Sequence, residues 1–348
     1  MQIVYENGGQ QWLVVPAEGS MAIAAREAGH EVYVIPFYGW IRAIGQPFFD
    51  RRFIRRQIRN SIAVFQLIKL VRKKKASIIF SNTSVINIGA WAGLFLKARH
   101  LWYVHEMGKE DFGFRMPFGK FSYRFMRFTS YCILTNSLHL QKRYVNLTGN
   151  HSVKIIRNPV LIKPIPSEVV WQDGKPFKLL LLGQIRASKG HLVAVEAIVN
   201  LIGAGVRVSL SIIGNNDDKL FLNELKKSIE SKQLTDAIKF EPYQSAALAF
   251  SRHHVMLMTS YCEAFGRVTL EAMKAGIPVV GANSCGTSEI ITHLQNGYLF
   301  EPGNAIDLAA KIQIVANQPA LREKIIKNAK KTAEEFTNSL SLLQILKN

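Results

Sequence analysis

The sequence predicts an α/β protein made of two parallel-sheet domains. Short apolar runs, such as residues 178–182 and 255–258, each lead into a glycine-bearing loop and then a helical stretch. Residues 255–282 read as one strand–loop–helix–strand unit, with Gly276 just past the helix and Pro278 where no helix can continue. Near the middle, Asn158-Pro159 and then Pro164 and Pro166 break the alternation, which places a domain boundary there. The expected division is 1–158 and 159–331, with a last helix over 332–348 crossing back to the first domain.

Composition narrows the class. A chain of 348 residues has room for two ordinary domains, and 48% hydrophobic with 20% charged residues describes a globular protein. No apolar run approaches the roughly 18–20 residues that span a bilayer. The start carries Glu6 and no basic-then-apolar leader, so no signal peptide is expected. Cys132, Cys262 and Cys285 are odd in number and lack metal-ligand spacing, which predicts reduced thiols in a reducing compartment. A net charge of +19 favours anionic partners: nucleic acid, anionic lipid or phosphorylated substrates.

In the first domain, strands are expected at 2–5, 12–16, 32–36, 77–80, 101–104, 131–135 and 153–156, with helices at 20–28 and 85–98. Residues 50–75 are strongly basic and helical in pattern. Ile54, Ile58, Ile62, Phe65 and Ile68 recur at helical spacing and are expected to pack on the sheet, leaving Arg51, Arg52, Arg55, Arg56 and Arg59 outside. Residues 112–128 interleave aromatics with Arg115, Lys120, Arg124 and Arg127. In the second domain, strands are expected at 178–182, 206–213, 238–240, 255–258, 278–280 and 297–300. Helices are expected up to about 202, at 219–232, from 267, and twice after Ala305.

Two carboxylates bracket the loop of the central unit. Glu263 precedes the turn at Gly266, and Glu271 lies just over one turn into the helix. The free N–H groups of the helix start lie between them and suit a phosphate. Carboxylates repel phosphate but accept hydroxyls, so the pattern fits a ligand with hydroxyls on both sides of a phosphate: a nucleotide-sugar. Each Glu alone is an ordinary acid at a helix start; the whole pattern, in register with strand, Gly and Pro, is not. A second loop, Gly183 to Gly190, carries Arg186 and Lys189 near a helix start and suits a diphosphate. It is neither a Walker A loop nor GxGxxG, which removes support for nucleotide hydrolysis and dinucleotide binding.

Glu263-Ala264-Phe265-Gly266, Glu271-Ala272-Met273 and Gly276-Ile277-Pro278-Val279-Val280 together resemble the signature of retaining glycosyltransferases of family 4. That resemblance implies the GT-B fold, two Rossmann-like domains facing across a cleft. The first domain departs from the family: Gly8-Gly9 is present, but there is no room for a long first helix before Trp12. Either that domain is a reduced version, or the first strand–loop–helix is missing from this chain.

The resemblance implies site roles. Glu271 would hold the ribose hydroxyls, Glu263 would contact the donor sugar, and backbone N–H groups at Phe265, Gly266 and Arg267 would meet the diphosphate. Gly183, Arg186 and Lys189 would add to the diphosphate site. Lys189 matches the family's loop, whereas Gln184 stands where an Arg is usual. Gly286-Thr287 would line the same cleft, and His105, at the end of a first-domain strand beside Glu106, would approach the donor sugar. The implied chemistry is front-side glycosyl transfer with retention, the leaving phosphate accepting the acceptor's proton, without a metal or any cofactor beyond the nucleotide-sugar substrate. Asp217-Asp218 lies in a loop and looks solvated. UDP-sugars are favoured over GDP-sugars, with a glycan or lipid-linked acceptor in surface-polysaccharide synthesis. The expected location is cytoplasmic, peripheral on an anionic membrane face. The alternatives are a nucleotide-sugar epimerase of the same fold, an inactive homologue, and a basic nucleic-acid-binding protein; no nucleic-acid motif supports the last.

Overall fold

The computed structural model describes residues 10–337 apart from 46, 48–49, 150–151, 158 and 170–173, and the expected strand at 2–5 and the end of the last helix lie outside them. The chain divides into two compact units, with the break in sequence after Arg157.

In the first unit, β1 (Trp12–Val15), α1 (Ser20–Glu27) and β2 (Glu31–Val34) form a parallel crossover, with β1 and β2 in a two-stranded sheet. After β3 (Arg42–Ala43) comes the long helix α2 (Arg51–Lys74), capped by the Asp50 carboxylate, which accepts from the Arg52 N–H at 2.8 Å. Then follow β4 (Ile78–Ser81), α3 (Ile88–Leu96), β5 (Arg99–Val104), α4 (Lys109–Phe112), β6 (Phe114–Arg115), α5 (Lys120–Thr129), β7 (Cys132–Thr135), α6 (Leu138–Thr148) and β8 (Val153–Ile155). Strands β4-β5-β7-β8 make an all-parallel sheet, and β3 and β6 an antiparallel pair. The central strand β5 is buried from His100 to Val104, as expected for a parallel strand covered on both faces.

The long basic helix packs differently from expectation. Its buried stripe is Asn60, Ala63, Val64, Leu67, Ile68 and Val71. Of the five residues expected on the sheet, only Ile68 is buried. Ile54, Ile58, Ile62 and Phe65 are exposed, Phe65 to 66%. The helix carries two apolar stripes: Ile62 and Val64 are two residues apart, which at 3.6 residues per turn puts them about 200° apart. Periodicity identifies a stripe but does not say which of two stripes meets the sheet.

In the second unit, β9 (Phe177–Leu182), α7 (His191–Gly203), β10 (Val208–Ile213), α8 (Lys219–Ser231), β11 (Ile238–Glu241), α9 (Ala246–Ser251), β12 (Val255–Met258), α10 (Arg267–Ala275), β13 (Val279–Ala282), α11 (Cys285–Ile290), β14 (Tyr298–Phe300), α12 (Ala305–Asn317) and α13 (Pro319–Thr337) follow in order. All six strands are parallel, in the order β11-β10-β9-β12-β13-β14. This is the doubly wound arrangement, and its topological switch lies between β9 and β12. One apolar cluster, including Leu179, Leu210, Leu257 and Ile312, fills one face of the sheet. Another, including Leu180, Met256, Leu270 and Met273, fills the other. Alternate residues of β9 thus serve opposite faces.

Candidate functional site

Ligands of doubly wound sheets bind outside the carboxyl ends of the strands at the switch point. Here that position holds an open pocket lined by Gly183, Gln184, Lys189, Ser260, Glu263, Gly266 and Arg267, among others. The loops after β9 and β12 form it.

These two loops are locked together. Tyr261 N–H donates to the Ser188 carbonyl at 3.1 Å, and Thr259 Oγ1 donates to the Lys189 carbonyl at 2.7 Å. Gly190 sits at φ +68°, where a Cβ would lie 2.1 Å from the Thr259 carbonyl oxygen, so only glycine allows this approach. The single 3-10 turn Ala187–Lys189 begins after Arg186, whose carbonyl accepts from Lys189 N–H at 3.0 Å and from His191 Nδ1–H at 3.3 Å.

Lys189 Nζ lies 2.6 Å from Glu263 Oε1, and Ser260 Oγ donates to the same oxygen at 2.5 Å. Both charged side chains are mostly buried, which strengthens the pair relative to a surface one. Arg267 opens α10 and pairs with Glu271 one turn later, Nε to Oε1 at 3.2 Å. Burial pushes the Glu271 carboxyl above the usual carboxylate range, and Arg267 opposes that shift. The predicted residues Gly183, Lys189, Glu263, Gly266 and Arg267 therefore line one pocket. Glu271 joins them through Arg267.

The loop after β13 is tied to this site. Gly286 N–H donates to the Glu263 carbonyl at 2.8 Å. A Cβ on Gly286 would lie 2.7 Å from Phe265 Cα, so the two loops touch backbone to backbone. Thr287 is fully buried beneath them, and Phe265 is buried against Phe336. The cysteines correct an expectation: Cys262 and Cys285 are joined in a disulfide, while Cys132 is a buried free thiol. An odd total conceals one such pair, because spacing along the chain says nothing about the 5.2 Å between Cα atoms across the two loops.

His105 belongs to the first unit. It follows β5, donates from Nε2 to Asn82 Oδ1 at 2.8 Å and packs edge-on to Tyr103. Burial pulls its pKa below the ordinary value, with Glu106 opposing. Glu106 itself accepts from Ser84 N–H at 3.1 Å, Ser84 Oγ at 2.9 Å, His105 N–H at 3.3 Å and the Thr83 hydroxyl. It thereby clamps the loops after β4 and β5. Sequence reading missed Ser260, Thr259 and His191 as parts of the second unit's site. Ser260 sits three residues before Glu263, but a lone serine in a loop carries no signal until its partner is placed.

Residues 167–332 match the family model described as glycosyl transferases group 1. The second unit belongs to that family. Relatives of this group 1 domain include the capsular polysaccharide biosynthesis glycosyltransferase CapM of Staphylococcus aureus. It is 26% identical over 171 residues, 47% of this chain and 43% of CapM. The human alpha-1,3/1,6-mannosyltransferase ALG2 is 32% identical over 162 residues, 43% of this chain and 39% of ALG2. The chain spans less than half the length of either relative. Over 97% of its length it superposes on 90% of Anabaena Alr3699/HepE, solved in complex with UDP and glucose, with a TM-score of 0.75 at 19% identity. The fold is that of the GT-B glycosyltransferases, with a Rossmann-like sheet in each unit.

Proposed function

We propose that the chain is a retaining glycosyltransferase that moves a sugar from a nucleotide-sugar, UDP-linked in preference to GDP-linked, to a glycan or lipid-linked acceptor in surface-polysaccharide synthesis. The observation that carries this reading is the switch-point pocket. There Glu263, held by Lys189 and Ser260, faces the start of α10 with Glu271 one turn beyond. Anabaena HepE binds UDP and glucose in the same fold, and CapM is named for capsule synthesis.

In this reading Glu271 accepts from the ribose hydroxyls, and Glu263 orients the donor sugar. A diphosphate leaving group develops negative charge, and Lys189, Arg267 and the N-terminal end of α10 stabilise it. The phosphate oxygen accepts the acceptor's proton as the new glycosidic bond forms on the same face. In the first unit, His105 keeps Nε2–H committed to Asn82, which leaves its other ring nitrogen as an acceptor. No metal or other cofactor enters this mechanism, so activity in excess chelator should equal activity with magnesium. The test of the site is calorimetric titration of UDP and UDP-sugars into the wild type and Glu271→Ala. Wild-type affinity in the variant would refute the assignment.

The acceptor reading extends to the membrane. Among the described residues no helix is long and apolar enough to cross a bilayer. Helix α2 has no acidic residue and exposes Ile54, Ile58, Ile62 and Phe65 beside Arg51, Arg55 and Arg59. It packs on α3, which exposes Phe95, and α3 packs on α5, which exposes Phe121 and Phe128. Exposed apolar side chains among arginines suit an anionic bilayer surface, where the apolar groups enter the interface and each cation adds about 1 kcal/mol. We place this face on the cytoplasmic leaflet, where it would meet a lipid-linked acceptor.

A further inference from the structure

The disulfide joins the loops after β12 and β13 of the second unit. Cys262 directly precedes Glu263, and Cys285 directly precedes Gly286, the residue whose N–H holds the Glu263 carbonyl. Both cysteines are half-buried, so a small reductant reaches them. The bond closes a 23-residue separation that includes all of α10 and β13.

Three features of the β13–α11 loop are unfavourable on their own. Cys285 is held at φ +45°, a conformation that a residue with a Cβ adopts reluctantly. The hydroxyls of Ser284 and Thr287 are buried without a hydrogen-bond partner. A covalent tether to Cys262 keeps the loop in place despite them. With the tether cut, the hydrogen bond from Gly286 N–H to the Glu263 carbonyl still links the two loops at that point. The net worth of that bond is small and comparable to what the loop gains by letting Cys285 leave the left-handed region.

We propose that Cys262–Cys285 is a thiol–disulfide exchange site for a dithiol, and that its reduction uncouples the two loops and weakens the nucleotide site. A dithiol thiolate attacks one sulfur and displaces the other as a thiolate. The second thiol of the reagent then closes its own disulfide. The protein bond gains two electrons and two protons to give two cysteine thiols, and the dithiol is oxidised by the same two electrons. In reducing surroundings the loops are separate; in oxidising surroundings they are stapled. This coupling to nucleotide rests on the donor reading given above; the loop uncoupling does not.

The test compares the full chain before and after dithiothreitol. Thiol titration of the denatured chain should read one free thiol before, Cys132, and three after. Amide hydrogen exchange should accelerate on reduction over 260–266 and 284–290 and stay unchanged in β9 and β10. UDP affinity, by calorimetry, should fall roughly three- to tenfold, the worth of one net hydrogen bond. The variant carrying Cys262→Ser and Cys285→Ser should match the reduced wild type and ignore dithiothreitol. Three free thiols before reduction, or equal exchange in both forms, overturns the proposal. Faster exchange with unchanged UDP affinity overturns the coupling to nucleotide. Faster exchange with no UDP bound by either form upholds the cross-link and refutes the donor reading.

Discussion

Lys189 and Glu263, 74 residues apart in sequence, meet with Nζ 2.6 Å from Oε1 at the mouth of the switch-point pocket. Each neutralises the other, so a diphosphate entering the pocket competes with a carboxylate for the lysine. Lys189→Ala should lower UDP affinity by about 1.5–3 kcal/mol, roughly ten- to a hundredfold. The melting temperature should change little, because Ser260 still holds Glu263. Calorimetry and a thermal melt separate the two effects; unchanged UDP affinity would show that the lysine serves only the salt bridge.

Glu271 predicts a pH-dependent stability. Its carboxyl is held above the usual range by burial, so the folded chain binds its proton more tightly than the unfolded chain. Stability from this group is therefore present at low pH and lost as pH rises from the unfolded to the folded value, and the deficit persists at neutral pH. Glu271→Gln should raise the melting temperature at pH 7 by about 1–3 °C and have no effect below about pH 4. A lower melting temperature at pH 7 would mean that the Arg267 pair outweighs burial.

Two buried histidines predict acid sensitivity in each unit. His100, with Nε2 2.9 Å from the Ser81 hydroxyl, and His191, bonded to the Arg186 carbonyl, are both pulled down to about 4 by burial. The unfolded chain takes up their protons first. Their contribution is complete above about pH 6.5 and is lost as pH falls towards 4, at roughly 3 kcal/mol each. Denaturant titrations between pH 7.5 and 4.5 should show that slope. His191→Gln should flatten it for the second unit, and an unchanged slope would assign the acid sensitivity elsewhere.

The exposed face of α2 predicts membrane binding. The chain should sediment with anionic vesicles at low salt, be released at high salt and ignore neutral vesicles. Ile58→Ser, Ile62→Ser and Phe65→Ser together should weaken sedimentation several-fold without lowering the melting temperature, since all three are exposed. Sedimentation equal with neutral vesicles, or absent with both, would refute the docking face.

The central unit was legible because every signal in it is local. Strand β12 spans the expected residues 255–258, α10 starts at Arg267, and Gly276 ends it at φ +81°. The same locality explains the misses. Helix α6 had readable ends, Ser137 accepting from Leu140 N–H and Gly149 at φ +64°, but its mixed sequence shows no clear stripe. The outward stripe of α2, the Ser260 bond and the Cys262–Cys285 bridge depend on which distant segment lies alongside. No periodicity encodes that.

The two stripes of α2 give the helix two separable tolerances to mutation. A polar residue in place of Val64 or Leu67 would be expected to reduce yield at growth temperature and to be rescued by cooling, because it breaks a buried contact. A polar residue in place of Ile58 or Phe65 would leave yield and melting unchanged and shift the protein from the pelleted to the supernatant fraction, a defect no cooling restores. A saturation library over this one helix, scored for abundance and for fractionation, should therefore fall into two populations that alternate along the chain with the helical period.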